Sequence, residues 1–104
     1  MNPQVQPGME RPSAKGRILL RLFVAATLPN SVAAIANLRR LCSEAGASHA
    51  KVEIIDVLLQ PERALAARIV VTPTLLRIYP EPVVTVLGAL TDLERVRVAL
   101  GLSA

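Results

Sequence analysis

The chain has 104 residues, which is enough for one domain and too few for two separate cores. Hydrophobic residues make up 52% of it and aromatic residues only 2%, so its core must be built from aliphatic side chains. The net charge is +4, and the N-terminal segment up to Arg17 accounts for +2 of it, with three basic residues against one acidic residue. Because the remainder is only mildly basic and lacks aromatic residues on which bases could stack, we expect no nucleic-acid binding.

Cysteine and histidine usage excludes two further classes of protein. Cys42 is the only cysteine, so the chain cannot be a secreted scaffold held by internal disulfides. With His49 as the only histidine, the chain has too few soft ligands for a conventional zinc site, and we expect no metal or other cofactor. The N-terminus lacks the apolar stretch of a signal peptide, and the longest uncharged stretch is interrupted by LPNS. We therefore expect a cytoplasmic protein that does not enter the membrane.

The N-terminal part of the chain changes character at residue 17. Residues 1–16 contain three prolines and two glycines with little apolar content, which predicts a disordered leader. A single domain is then expected over 17–104. It begins with the branched, apolar run ILLRLFVA (18–25), which predicts a first strand.

A first helix is predicted after the LPNS segment. Asn30 or Ser31 is expected to cap a helix that runs to about Ala45, and Gly46 is expected to end it. Helical spacing predicts that its inner face consists of Val32, Ile35, Leu38, Leu41 and Cys42.

A second strand and a short helix follow. The segment KVEIIDVL (51–58) alternates and then becomes apolar, as a strand does. Pro61 suits the first turn of a helix, and the spacing of Leu65 and Ile69 predicts that both point inward. Glu53 and Asp56 are three residues apart on the strand, so they face opposite sides of the sheet and cannot form a catalytic carboxylate pair.

The C-terminal part predicts a hairpin and a last helix. Residues 74–79 form a third strand, YPEP a turn, and VVTVL (83–87) a fourth strand antiparallel to the third. The segment TDLERVRVALGL closes the chain as a helix, with Thr91 and Glu94 predicted to form a capping box.

The predicted order of elements is β-α-β-α-β-β-α, which is the connectivity of the thioredoxin fold. The first unit requires a parallel strand pair with a right-handed crossover, and the last two strands are antiparallel. In such folds one proline before the third strand is typically cis, and Pro73 stands there. The alternative is an ordinary trans proline at the start of an edge strand.

The C-terminal half resembles thioredoxin through TPTLLRIY and VVTVLGALTD. A working thioredoxin needs Cys-x-x-Cys after the first strand, where a thiolate can attack a disulfide. Here that position is AATLPNS, which contains no sulfur, and Cys42 lies far along the predicted helix as a small buried hydrophobe. We therefore expect no enzymatic activity, and a single-thiol redox protein that uses Cys42 is the alternative.

The whole domain resembles the KaiB family, whose members carry VAG-x-TPNS, IDVL-x-NP-x-x-A, ATPTL, a proline-rich turn and GDLS in this order. The chain carries FVAATLPNS, IDVLLQPERA, VTPTL, PEPV and GALTD at matching spacing, over roughly residues 18–102. The resemblance implies a non-catalytic adaptor that binds a KaiC-type hexameric ATPase, in a circadian clock or in another stress or timing pathway. A KaiA-like regulator or a sensor histidine kinase is implied as a further partner. A stand-alone sensory module similar to the SasA sensor domain is a second alternative.

The candidate partner-binding residues lie on the second strand and the short helix after it. A thioredoxin-like sheet places strand 51–57 at one edge and strand 83–87 at the other. An edge strand can accept a strand from a partner, although charged edge residues also act simply as guards. The KaiB resemblance favours binding at this edge and helix, and we expect the contacts to come from Lys51, Glu53, Gln60, Arg63 and Arg68.

The KaiB resemblance also implies a second conformation, with the order β-α-β-β-α-α-β, that self-associates as a dimer or tetramer. The segment RVRVALGL suits both states, because it alternates like an edge strand and also places Leu93, Val96 and Leu100 on one helical face. Ala99, where family members often have Gly, favours the helix by roughly 0.8–1.0 kcal/mol. If a proline isomerises during repacking, exchange should take tens of seconds or longer. The prolines concerned are Pro73, Pro80 and Pro82.

Overall fold

The computed structural model describes residues 17–44 and 50–102, and these form one four-stranded sheet with three helices. The elements are β1 (Ile18–Val24), α1 (Pro29–Glu44), β2 (Ala50–Asp56), α2 (Pro61–Ala66), β3 (Thr74–Tyr79), β4 (Val84–Leu87) and α3 (Leu93–Leu100). The predicted order of elements is confirmed. The predicted leader, the proposed end of α1 at Gly46 and the loop with His49 lie outside the described residues.

The sheet has the strand order β2-β1-β3-β4, so β2 and β4 are its two edges, as predicted. β1 and β2 are parallel and remain in register from the pair Ile18 and Ala50 to the pair Val24 and Asp56. β3 runs antiparallel to both β1 and β4. α1 is therefore the crossover between the parallel strands, whereas a tight turn joins β3 to β4.

The larger of two hydrophobic cores lies between the sheet and the pair α1 and α3. Leu20, Leu22 and Val24 alternate along β1 and turn to this side, because successive side chains of a strand face opposite ways. The other buried members of this core are Ala34, Leu38, Leu41, Leu75, Leu90, Val96, Leu100 and Leu102.

The core beneath α2 is much smaller. Phe23 packs there with Ile55, Leu76 and Ala64, and Ala64 is the buried residue of α2. The predicted inward position of Leu65 is wrong, since its exposed fraction is 81%. A helix of six residues has room to bury one side of a single turn, and small Ala64 occupies that position.

The chain after α2 leaves the helical path earlier than predicted. The helix ends at Ala66, so Arg68 lies beyond it, with a left-handed φ of 58°. The Ile69 N–H donates to the carbonyl oxygen of Ala64 at 2.9 Å. Ile69 therefore reaches the small core from the turn and is half-buried, as predicted, although it is not part of the helix.

The inner face of α1 differs from the prediction at its first turn. The helix starts at Pro29, whose fixed φ suits a first turn, so Asn30 and Ser31 lie inside it and do not cap it. Ser31 is buried and its hydroxyl accepts a hydrogen bond from the Ala25 N–H at 2.9 Å. This bond turns Ser31 toward the sheet and leaves Val32 51% exposed.

The N-terminal cap of α3 also differs from the prediction. Asp92 caps this helix, and its carboxylate accepts from the Arg95 N–H at 3.2 Å. The predicted capping box of Thr91 and Glu94 is wrong, because the helix begins one residue later than that box requires and Glu94 pairs with Arg97 instead.

Two further predictions concern proline and the membrane. The peptide bond between Thr72 and Pro73 is cis, as predicted, and the bonds before Pro80 and Pro82 are also cis. Across residues 17–44 and 50–102, no helix has the length and apolar character needed to cross a membrane.

Candidate partner-binding surface

A charged cluster joins the edge strand β2 to its neighbour and to α2. Arg21 and Glu53 are register partners on β1 and β2, and the Arg21 Nε donates to the Glu53 Oε1 at 2.6 Å. The Arg63 Nη2 of α2 lies 3.6 Å from the same oxygen. The hydrogen bond from Arg21 lowers the pKa of Glu53 below its usual value, and the positive charges of Arg21, Arg63 and Lys51 act in the same direction. Two of the predicted binding residues, Glu53 and Arg63, therefore belong to one cluster with Arg21, and a third, Lys51, acts on Glu53 through its charge.

The cluster contains a residue that sequence reasoning did not select. Arg21 is the one charged residue in the first strand, and this is the signal that could have singled it out. Arg21 can join the cluster because the parallel register of β1 and β2 places it beside Glu53. The side chain of Arg63, one of the predicted contact residues, is 35% exposed and is directed to Glu53. Glu53 and Arg63 thus fix the geometry of this surface as well as contributing charge to it.

The loops at the carboxyl ends of β1 and β2 are tied together by Asp56. Its Oδ1 accepts from the Ala26 N–H at 3.3 Å and from the Leu58 N–H at 2.9 Å. The backbone carbonyl of Asp56 also accepts from Leu59 and Gln60, so the strand ends here and a turn begins. As predicted, Asp56 forms no pair with Glu53, and its role is to shape the approach to α2.

The remaining two predicted residues bracket α2. Gln60 precedes the helix, and its backbone carbonyl accepts from the Arg63 N–H at 3.1 Å, while its side chain makes no capping bond. Arg68 follows the helix and is exposed. Within the part of the chain that the structure describes, Arg68 makes no ion pair. Its charge is therefore available at the surface.

Exposed aliphatic side chains surround α2, and we call them the α2 apolar surface. Leu65 is 81% exposed and Val70 is 91% exposed. Between them lies a shallow depression of about 290 Å³. The other exposed members of this surface are Leu58, Leu59 and Val71. The sequence did not predict this surface, because the spacing of Leu65 and Ile69 suggested that both are buried.

Cys42 is placed poorly for redox chemistry. It lies near the end of α1, half-buried against the larger core. Burial raises the pKa of the Cys42 thiol, which disfavours the reactive thiolate. Among residues 17–44 and 50–102, no three of the side chains His, Cys, Asp or Glu are grouped so that they could hold a metal ion.

Known proteins resemble the chain in both sequence and structure. A family model described as the KaiB domain matches residues 21–102. Circadian clock protein KaiB3 from Synechocystis sp. is 43% identical over 84 residues, which cover 81% of this chain and 82% of that protein. Circadian clock oscillator protein KaiB from Nostoc punctiforme is 39% identical over 89 residues, or 86% of each chain.

Solved structures show the same fold. The N-terminal domain of Synechococcus elongatus SasA superposes with a TM-score of 0.69 at 27% identity, over 97% of this chain and 91% of that one. The thioredoxin Deadhead from Drosophila melanogaster superposes with a TM-score of 0.66 at 18% identity, over 86% and 83% of the two chains. The second likeness concerns the fold alone.

Proposed function

Since the chain belongs to the KaiB family of circadian-clock proteins, we propose that it is a non-catalytic adaptor that binds a KaiC-type hexameric ATPase. The proposal includes regulation of a clock or of another timing or stress pathway through this binding. The observation that carries it is the α2 apolar surface, which leaves large aliphatic side chains in water next to the exposed cation Arg68.

The chemistry of the α2 apolar surface suits a protein partner. Leu65 and Val70 would lose a large solvent-exposed area on contact, and burial of apolar area is the main favourable term in association. Arg68 stands beside them, and arginine is enriched among the residues that dominate binding energy. The cluster of Arg21, Glu53 and Arg63 forms the polar rim on the side of β2. An apolar centre with a charged rim is the usual anatomy of an interface.

A titration against a KaiC-type ATPase tests the proposal. We expect Leu65→Ala and Arg68→Glu each to weaken binding about tenfold, which is the effect of losing 1.4 kcal/mol. Val98→Ala and Arg39→Glu are matched controls, since both residues are exposed on other helices. Unchanged affinity in Leu65→Ala and Arg68→Glu, with normal thermal unfolding, would contradict the assignment. Arg63→Glu is less informative, because it also disturbs Glu53.

We further propose that the free edge of β2 receives a second partner, a KaiA-like regulator or a sensor histidine kinase. Lys51 and Glu53 lie on this strand, and its outer backbone groups are not paired within the described residues. A partner strand could add there, with side-chain specificity from the charged positions. Hydrogen exchange of the β2 amides with and without such a partner checks this: protection is expected in β2 and none in β4.

A redox function through Cys42 has no structural observation in its favour. We expect no reduction of insulin disulfides by the protein, and we expect Cys42→Ser to keep the full affinity for the ATPase. Activity that Cys42→Ser abolishes would overturn this part of the proposal.

The proposal also includes a second, self-associating conformation in which the C-terminal half repacks. In the conformation described above, α3 is capped at both ends, by Asp92 and by Gly101 with a left-handed φ of 73°. Ala99 lies on the exposed side of this helix. Ala99→Gly should destabilise the helical state by roughly 0.8–1.0 kcal/mol. This lowers the ratio of the helical state to the other state about fivefold. NMR chemical shifts over 95–102 measure this, and identical shifts in both proteins would contradict it.

A further inference from the structure

A second depression lies on the sheet at the amino end of β1. Its volume is about 510 Å³, within the size of pockets that hold small organic ligands, which is roughly 300–1,000 Å³. Its wall combines two basic side chains, one aromatic side chain and two aliphatic ones. These are Arg17, Lys51, Tyr79, Ile18 and Leu19. Such a wall has both a charged part and an apolar part to offer a ligand.

Three of the lining residues form a row across neighbouring strands. Leu19 of β1 is paired with Lys51 of β2 on one side and with Tyr79 of β3 on the other. Adjacent strands are about 4.8 Å apart, so the backbones of Lys51 and Tyr79 are separated by roughly 10 Å with Leu19 between them. Leu19 therefore forms an apolar floor between a cation and an aromatic side chain.

An irregularity of the sheet brings Tyr79 into this row. β1 and β3 pair regularly as far as Leu20 and Arg77, and the next pair joins Leu19 to Tyr79, so the pairing passes over Ile78. In a regular ladder Ile78 would be opposite Leu19, and Tyr79 would turn to the other side of the sheet. β-Bulges re-aim side chains in this way and are frequent next to active sites. The position of Tyr79 is thus a built feature of the depression.

The two cations of the depression are open to a ligand. Arg17 and Lys51 are both exposed, and within residues 17–44 and 50–102 neither forms an ion pair. Glu53, two residues after Lys51, has its carboxylate directed to Arg21 at 2.6 Å. Two cations on one wall favour a doubly charged anion, and arginine and lysine are the usual partners of phosphate groups.

We propose that this depression binds a nucleoside monophosphate, with the phosphate held by Arg17 and Lys51 and the base lying on Leu19 against the ring of Tyr79. Tyr79 is 42% exposed, so its ring can contact a ligand, and aromatic rings stack on bases of every type. Inorganic phosphate would leave Leu19 and Tyr79 uncovered, and a nucleoside would leave the cations without an anion. The proposed function assigns no small ligand to the chain, so this inference goes beyond it.

The first experiment titrates the protein alone with AMP and follows the backbone amide signals by NMR. We expect saturable binding, with the largest shifts at Leu19, Lys51 and Tyr79 and none in α3. Adenosine and inorganic phosphate are the two partial ligands, and each should bind at least about tenfold more weakly than AMP. Because no partner protein is present, the result does not depend on whether the chain binds an ATPase.

The second experiment separates the two parts of the site by substitution. Arg17→Met and Lys51→Met should each raise the dissociation constant of AMP about tenfold and leave adenosine binding unchanged. Tyr79→Leu should weaken AMP and adenosine by the same factor and leave inorganic phosphate unchanged. Arg39→Met, at an exposed cation of α1, is the matched control and should bind AMP like the wild type. Thermal unfolding of each variant checks that the fold is retained.

Four outcomes would overturn the proposal. The first is the absence of a saturable shift at millimolar AMP, and the second is a set of shifts centred away from Leu19. The third is inorganic phosphate binding as tightly as AMP, because the apolar part of the wall would then contribute nothing. The fourth is AMP binding that Arg17→Met and Lys51→Met both retain, or that Arg39→Met weakens equally, since net charge and not this site would then attract the ligand.

Discussion

The two edges of the sheet differ in how they treat charge. At β2, Lys51 and Glu53 point to the same side as α2, and Arg21 and Arg63 converge on the carboxylate of Glu53. At β4, the strand carries no charged residue at all. The comparison teaches that a charged residue on an edge strand can have a structural role, since Glu53 connects β2 to β1 through Arg21 and to α2 through Arg63.

The two faces of the sheet differ in how firmly their helices are held. α2 rests on a small core of four buried residues, whereas α3 packs on the larger core. α3 also receives two hydrogen-bonding anchors, Asp92 at its start and Arg77 near its end. The surface around α2 is therefore the less firmly packed of the two, which suits a segment that adjusts to a partner.

The largest effect is expected from removing the support of α2. Phe23 is 2% exposed and is the largest side chain in the small core. Phe23→Ala should lower the free energy of unfolding by about 3–5 kcal/mol, because it removes buried apolar area and leaves a cavity. Urea unfolding measures this. Val98→Ala, at an exposed position of α3, should change stability by less than about 0.5 kcal/mol. If Phe23→Ala lowered the free energy of unfolding as little as Val98→Ala does, α2 would not depend on this core.

The next largest effect on stability is expected where Arg77 joins the end of α3 to the β3–β4 turn. The Arg77 Nη1 donates to the Leu100 carbonyl and the Nη2 to the Pro82 carbonyl, both at 3.0 Å. This guanidinium therefore links the C-terminal end of α3 to the β3–β4 turn. Its positive charge also interacts favourably with the negative end of the α3 helix dipole. Arg77→Met should cost about 1.5–3 kcal/mol, the range for hydrogen bonds to charged groups. Chemical shifts should report fraying at the end of α3.

Arg77→Lys provides the matched control for that experiment. Lysine keeps the charge but cannot hold both carbonyl groups with one planar group. We expect a stability between those of the wild type and Arg77→Met. Equal stability of all three proteins would show that the two hydrogen bonds contribute nothing to the position of α3.

Much of the fold could be predicted from the sequence, because the apolar runs have clear periods. The strands were located within two residues, and the order of elements limited the sheet to one topology. The errors lie where a polar contact or a small residue overrides hydrophobic spacing. Ser31 is buried by its bond from Ala25, and Ala64 rather than Leu65 faces the small core.

The candidate site was predictable only in part. Lys51 and Glu53 were selected because an edge strand can be located from the connectivity. Their link to Arg21 and Arg63 depends on the register and on the position of α2, which the sequence does not specify. The α2 apolar surface was missed because exposure of a leucine depends on where a short helix ends. That end is set by the left-handed turn at Arg68.

A smaller effect is expected at the start of α3. Asp92→Ala should lower the free energy of unfolding by about 1 kcal/mol, because the Arg95 N–H loses its side-chain acceptor. Thr91→Ala is the control, and as a surface substitution it should change stability by less than about 0.5 kcal/mol. Thermal or urea unfolding distinguishes the two. The reverse order of effects would favour the capping box that the sequence suggested.

The smallest effect is expected at the β2 edge and appears as a dependence on pH. The folded pKa of Glu53 is below its usual value, chiefly because of the hydrogen bond from Arg21, so the ionised carboxylate stabilises the folded state. This contribution is present above the unfolded pKa, roughly 4.3, and is lost as the pH falls through the folded pKa. Accordingly, the wild-type protein should be more stable than Glu53→Gln near neutral pH. This difference in stability should shrink as the pH falls through the folded pKa of Glu53. The effect is small because the side chains of Arg21 and Glu53 are about one third exposed and water screens their attraction.

Urea unfolding at neutral pH and at pH values down through the folded pKa of Glu53 measures the difference in stability. The same comparison in an Arg21→Met background is the control, since it lacks the main cause of the shift and should show little pH dependence. A difference that grows as the pH falls would contradict this account of the β2 edge.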